Sequence, residues 1–461
     1  MPVSDYIAFT SPPFEKGGLN GYIIFTEMLF KWIMIKNKYC FSFLAQSPSA
    51  NQFYFNMVLL GLPVFVIFWL PGVWVCLGAM IFLYYSHSYE SSYSDVVKEF
   101  YKVNYYRYIA YSYLAYLAFT VISISFFSSP LKSIDNACIF LIWLAISPLM
   151  AVLKPNSDIL GYGCLLAVFM AFLMATTQFH FFKIARPYGM YGAVFPGTGA
   201  IKFGDISLLT GVLSYILLAE NKLRWLGALG ALLGFLVCLY ASARGGVLAL
   251  MLCVLVWYFF INTKTISIKN VLIAIFFVGL VIFILNMVTD NHVFGRVRAT
   301  IKELLNIGNH FNASIGVRFQ MWQAAIIIFE NNPIFGIGLN NFDDALLAFY
   351  KQGSVSKSII KYSHAHNEYL CALATGGVIG FIITLALFFL PMSFFKTKYH
   401  ENVWARAGFW GVCLMVFFAL TDCVFDRRMT VMAFIVLISI CISGNMSLNN
   451  VPTLKNKPAT P

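Results

Sequence analysis

Long apolar runs separated by short polar connections dominate this chain. The runs fall near 53–70, 72–87, 107–127, 136–153, 159–178, 204–219, 223–240, 246–261, 269–288, 373–395, 404–421 and 430–446. Most approach the roughly 20 residues that carry a helix across a bilayer, and 72–87 and 204–219 are among the shortest. A backbone in hydrocarbon must satisfy its own hydrogen bonds, so each run predicts a helix. The pattern therefore predicts an all-α integral membrane protein of about twelve transmembrane helices. Residues 21–35, GYIIFTEMLFKWIMI, carry Glu27 and Lys31 and predict a segment lying along the interface. The polar start, MPVSDYIAFTSPPFEKGGLN, lacks the basic region and apolar stretch of a cleavable signal peptide.

One connection breaks the rule of short loops. Residues 289–363 separate the ninth and tenth runs and are long enough to hold helices of their own. GVRFQMWQAAIIIFEN has apolar positions at helical spacing, and NNPIFGIGLNNF reads as the turn that ends that helix. Without internal repeats, residues 1–461 read as a single membrane domain with a small lid-like insertion at 289–363 and a polar tail, VPTLKNKPATP.

Composition excludes an ordinary soluble domain: 60% of residues are apolar, 11% are charged, and mean hydropathy is +0.77. With the N-terminus placed in the cytoplasm, more than half of the 31 lysines and arginines fall in inner connections and tails. Positive charge collects on that side, so both termini are expected in the cytoplasm and the long loop outside. The net charge of +12 is scattered among the runs and makes no basic aromatic patch. Nucleic acid is therefore not expected as a partner; membrane lipids and an anionic ligand are. The ten cysteines stand singly with no CxxC pair and read as packing residues.

Cations in outer connections run against that bias and are candidates for chemistry. Arg244 lies in YASARGGVL, where Gly245 and Gly246 would let the backbone approach another group; the plainer reading is an arginine snorkelling to the surface. Arg186 and Lys202 flank the outer loop RPYGMYGAVFPGTGAIKFGD, which ends in Asp205 and otherwise reads as a solvated connector. Arg318 opens the amphipathic helix of the long loop, or is an ordinary surface charge there. Four converging cations would suit a diphosphate, whose oxygens match guanidinium forks.

Two of the seven histidines, His364 and His366, sit in YSHAHNEYLCALATGGVIG at the entry to the tenth run. Asn367 predicts a cap for a helix beginning at Glu368, which leaves His366 just outside the first turn. Three readings stay open: an interfacial histidine, a metal ligand with His364, or a general base. No third metal ligand follows at a usual spacing. A histidine's ordinary pKa of about 6.5 suits removal of a proton from a hydroxyl. Gly376, Gly377 and Gly380 predict close helix packing behind this segment.

Together HNEYLCALATGGVIG, SARGG, the R-x-x-x-W of Arg318 and Trp322, PIFGIG at Pro333–Gly338 and IKFGD at 201–205 resemble the O-antigen ligase and polymerase superfamily over roughly residues 185–445. The resemblance implies a multi-span, GT-C-like glycosyltransferase of the bacterial inner membrane with its active site on the periplasmic side. Such enzymes move a glycan from undecaprenyl diphosphate to a lipid A-core sugar in the ligases, or to another lipid-linked glycan in the polymerases. They use no nucleotide sugar, no cofactor and no required metal. Carried over residue by residue, the motif histidine is His366 and the diphosphate-binding arginines are Arg186, Arg244 and Arg318, with Lys202 beside them. His364, Asn367 and Asp205 would support them, as would Asp422 of ALTDCVFDRR, where the family has a polar residue. Direct attack by the acceptor implies inversion at the anomeric carbon.

IKFGD and the single dominant loop favour a ligase. The ten-residue spacing of Arg186 and Gly197 occurs among polymerases. A lipid-glycan transporter is the alternative of a different class, and charged or broken helices near mid-membrane would point to it.

Overall fold

The computed structural model describes residues 50–86, 93–189, 199–257, 261, 314–357 and 359–446. The run at 269–288, the segment 21–35, residues 289–313, Gly197 and the polar tail lie outside the described residues. Val58–Pro461 forms one compact unit and Met1–Met57 another, of which only the first turns of α1 are described.

Every predicted run within the described residues is helical, and no strand occurs among them. The helices are α1 (Ala50–Phe68), α2 (Leu70–Ser86), α3 (Tyr93–Phe100), α4 (Asn104–Phe127), α5 (Ser133–Leu153), α6 (Ser157–His180), α7 (Ala200–Leu217), α8 (Arg224–Tyr240), α9 (Arg244–Val256), α10 (Ser314–Asn331), α11 (Phe342–Lys351), α12 (Glu368–Thr397), α13 (Val403–Phe418) and α14 (Arg428–Asn445). Six of these, α4, α5, α6, α7, α12 and α14, are long and apolar enough to cross a membrane; shorter apolar stretches lie in α1, α2, α8, α9 and α13. The described part of the chain is thus all-helical, with apolar helices that suit a membrane protein.

Helix α7 begins at Ala200, so Lys202 and Asp205 occupy its first turns instead of the loop predicted to hold them. Both are buried, at 7% and 3% exposure. Hydropathy missed this start because two charges within four residues read as loop, whereas a paired charge tolerates enclosure. Backbone contact drives the packing of α7 on α8: a side chain at Gly211 would meet the Gly230 carbonyl at 2.6 Å, and one at Gly234 the Ser207 carbonyl at 2.5 Å.

The glycines of α12 do more than permit close packing. The helix breaks at Gly377, where φ is 62° and ψ −159°, a conformation essentially reserved for glycine. Four backbone groups lose their helical partners there, and the turn 333–338 supplies replacements. Ile337 N–H donates to the Ala374 carbonyl at 3.1 Å and Gly338 N–H to that of Thr375 at 2.9 Å. In return Val378 N–H donates to the Pro333 carbonyl at 2.8 Å and Ile379 N–H to that of Ile334 at 3.3 Å. PIFGIG and ATGGVIG are therefore two halves of one device, a helix break whose polar groups are satisfied by protein. Gly377→Ala should cost at least about 3 kcal/mol, because a Cβ there meets the Ile334 carbonyl in a forbidden backbone region. The melting temperature of the detergent-extracted protein reports this, and an unchanged value would contradict the interlock.

Helix α10 buries Val317, Met321, Ala324, Ala325 and Ile328, the helical spacing expected of it. They join Phe342 and Leu346 of α11, and Cys371 and Ala374 of α12, in one apolar cluster. Trp322, on the rim of that cluster, donates its indole N–H to the Ala365 carbonyl at 3.0 Å. The R-x-x-x-W spacing thus puts Trp322 on the backbone between the two histidines and Arg318 one turn away.

Candidate active site

The polypeptide around His366 is held from both sides. On one side Asn367 caps α12, its side chain accepting from Leu370 N–H at 3.1 Å. The same side chain donates to the Leu420 carbonyl at 3.1 Å, and Glu368 N–H donates to that of Ala419 at 2.8 Å. These bonds stitch the start of α12 to the loop between α13 and α14, which carries Asp422. On the other side His364 Nδ1 accepts from His366 N–H at 3.2 Å. His366 itself is left-handed, with φ at 50°. Histidine visits that region more readily than most residues, and held outliers of this kind cluster at functional sites.

His366 Nδ1 lies 3.2 Å from Asp422 Oδ1, and Asp422 Oδ2 lies 2.7 Å from Lys202 Nζ. Lys202 also donates to the Cys423 carbonyl at 2.8 Å, and Cys423 N–H to Asp422 Oδ1 at 2.9 Å. The imidazole is 19% exposed, whereas the carboxylate and ammonium behind it are 6% and 8% exposed. Burial pushes the Asp422 carboxyl up, but the adjacent Lys202 ammonium and the His366 hydrogen bond more than offset it. The group stays well below the usual carboxylate range and is ionised. An ionised carboxylate only accepts, so Nδ1 carries the hydrogen and Nε2 is left as the basic nitrogen.

His364 has a different environment. Burial pulls its pKa down to about 4 against the opposing charge of Asp426, so the ring is neutral at neutral pH. That leaves Nδ1 free to accept the His366 N–H. Its ring lies 4.3 Å from that of His366 between centroids, and the Tyr362 ring stands 5.5 Å from His366, edge-on.

Arg186, Arg244 and Arg318 come within electrostatic reach of one another. Arg186 is exposed as a residue, yet lost hydration around its guanidinium and then the like charges of Arg244 and Arg318 lower its pKa. Burial lowers that of Arg318, Asp422 pulls it back, and Arg244 lowers it again. Arg244 opens α9 and is exposed. Among the described residues none of the three arginines is in an ion pair. Lys202 stands apart, because its charge is already committed to Asp422.

The two glycines after Arg244 bring its helix against these groups. A side chain at Gly246 would reach Asp205 Oδ1 at 2.6 Å, and one at Gly245 would collide with Thr421, the neighbour of Asp422. Asp205 therefore lies beneath the arginine turn, and its buried Oδ1 has no hydrogen bond among the described residues. The sequence motifs SARGG and IKFGD meet here: a side chain at Gly204 would touch Ala243 and Ala241.

Behind His364 opens a cavity of about 70 Å³ between α4, α5 and α12. Asn136, Asn340, Glu368 and Asp426 are on its polar wall, with Phe119 and Phe425 beside them. Sequence reasoning missed these groups: Glu368 reads as a first-turn helix acid, yet it is buried and accepts from Phe425 N–H at 3.0 Å. The repeated acid of ALTDCVFDRR was the available signal for Asp426.

The third ligand that spacing did not reveal is Asp422. Ligand atoms of His364, His366 and Asp422 lie within 4.8 Å of one another and could hold a metal ion. The donor set fits poorly, since one Asp422 oxygen is already on Lys202 and Arg318 adds positive charge nearby.

Comparison with known proteins finds a likeness over part of the chain. A family model described as O-antigen ligase matches residues 208–385. An uncharacterized protein of Haemophilus influenzae is 28% identical over 280 residues, which cover 58% of this chain and 66% of that one, just under two thirds.

Proposed function

We propose that this chain, which is similar to the O-antigen ligase family over residues 208–385, is a member of it and transfers a polysaccharide from undecaprenyl diphosphate to a lipid A-core sugar. The observation that carries the reading is the line from Lys202 through Asp422 to His366, with three arginines beside it that have no ion pair among the described residues. In this scheme His366 Nε2 takes the proton of the acceptor hydroxyl as its oxygen attacks the anomeric carbon. The bond from that carbon to the diphosphate oxygen breaks with inversion. Charge developing on the diphosphate is met by Arg186, Arg244 and Arg318, so no acid need protonate the leaving group. Among the described residues no lysine or arginine lines the cavity behind His364, which suits a neutral saccharide better than a phosphate.

We place this chemistry on the periplasmic face of a bacterial inner membrane, as the excess of inner cations supports. The test of the whole reading is the lipopolysaccharide of a strain lacking the protein. Loss of all long chains with accumulation of lipid-linked polymer is expected; a single-repeat band would make the protein a polymerase, and unprocessed glycan on the cytoplasmic face a transporter. The break in α12 is a feature shared with transporters. Here the chain's own turn satisfies the freed backbone groups, as a structural break requires.

Arg244→Ala should weaken donor use by about 10- to 100-fold, the worth of a charge-assisted bidentate contact, and Arg244→Lys should recover only part of it. Equal donor KM in variant and parent would remove Arg244 from the diphosphate site. Transfer in washed membranes should survive a chelator, because the base is set by Asp422 and not by a metal. Loss on chelation that divalent cation restores would overturn the metal-free scheme.

A further inference from the structure

We infer that Cys371 and Cys423 are joined by a disulfide bond in the mature protein. The sequence reading treats every cysteine as packing, and these two are 52 positions apart, yet their sulfurs lie 3.1 Å from each other, inside van der Waals contact. Cys371 Sγ also accepts from Ala365 N–H at 3.1 Å, between the two histidines. Cys423 follows Asp422, and its N–H and carbonyl contact Asp422 and Lys202. The backbones that carry the two sulfurs are pinned together on both sides. Glu368 N–H bonds to the Ala419 carbonyl before the pair, and Phe425 N–H bonds to Glu368 after it. A short approach of two side chains then suffices to form the bond.

Both thiols are buried, at 9% and 2% exposure. Burial, and then the neighbouring Cys371, push the Cys423 thiol well up. A thiol of that kind attacks slowly, so oxidation belongs to folding, before α10 and α11 cover the site. In the step, each thiol loses one proton and one electron as the S–S bond forms. The electron pair passes to an oxidised protein disulfide of the exported compartment, which leaves as a dithiol. This inference rests on the proposed placement of the site outside the cytoplasm, where disulfides persist. The bond would tie the loop bearing Asp422 directly to the helix that follows His366.

The experiment uses full-length protein, denatured in membranes with a thiol alkylator and no reductant, then digested for peptide mass mapping. The expected result is one linked peptide pair, lighter by two hydrogens than the two thiol peptides, with neither Cys371 nor Cys423 alkylated. Cys413 and Cys441 should be alkylated in the same sample. Reductant should release the pair, and expression in a strain without its exported dithiol oxidase should leave both sites alkylated. Full alkylation of both residues in the wild-type chain overturns the inference while leaving the glycosyltransferase reading untouched. A linked pair in a chain whose His366 variants still transfer glycan would do the reverse.

Discussion

His366→Ala is expected to stop glycan transfer while the protein still accumulates in the membrane. Removing a general base of this kind typically costs about 10²- to 10⁴-fold, and a lipopolysaccharide gel from a complemented deletion strain would show the missing long chains. Folding is a separate matter, since His366 is left-handed and alanine resists that conformation. His366→Asn supplies the control: asparagine accepts the same backbone but offers no basic nitrogen. Loss in both variants at normal protein level assigns the defect to chemistry. Transfer by either one at the parental rate would remove His366 from the reaction.

Lys202→Met should be as damaging, for a different reason. It leaves the Asp422 carboxylate enclosed without its ammonium, and breaking a buried pair from one side costs about 3–5 kcal/mol. The variant is expected to lose most of its folded protein. Lys202→Met with Asp422→Asn removes both charges and should restore accumulation. Activity should stay low, by about 10²-fold or more, because a neutral amide can still accept the Nδ1 hydrogen of His366 but no longer stabilises the imidazolium that forms when the ring takes a proton. Thermal melting and transfer rate, measured on the same preparations, separate the two effects. A double variant that transfers glycan normally would reduce Asp422 to a structural partner of Lys202.

The candidate site was legible to unequal degrees. His366 and Asn367 could be read locally, because a cap and a helix start are properties of neighbouring residues; the observed Asn367 cap is that local rule at work. Lys202 and Asp205 were read as residues of an outer loop, and the structure encloses them in α7. Their charges decided the reading, while the partner that makes enclosure tolerable lies more than 200 positions away. Glu368 was missed because nothing in its flanks distinguishes a buried acid from a surface one, and Asp426 because the repeated acid of ALTDCVFDRR was read only at Asp422. Gly377 looked like a packing glycine; its backbone angle depends on a turn 40 residues earlier.

By itself the sequence determined the class of this protein: its apolar runs, their helical form, the amphipathic α10 and the family-like order of motifs. These are sums over neighbouring residues, and hydropathy and capping act at that range. Only the tertiary structure decided which motif meets which. It set Lys202 against Asp422 and Asp422 against His366, fitted PIFGIG into the break of α12, and brought Cys371 to Cys423. Those partners are tens to hundreds of residues apart, and their meeting depends on how whole helices pack, which no local pattern of side chains encodes.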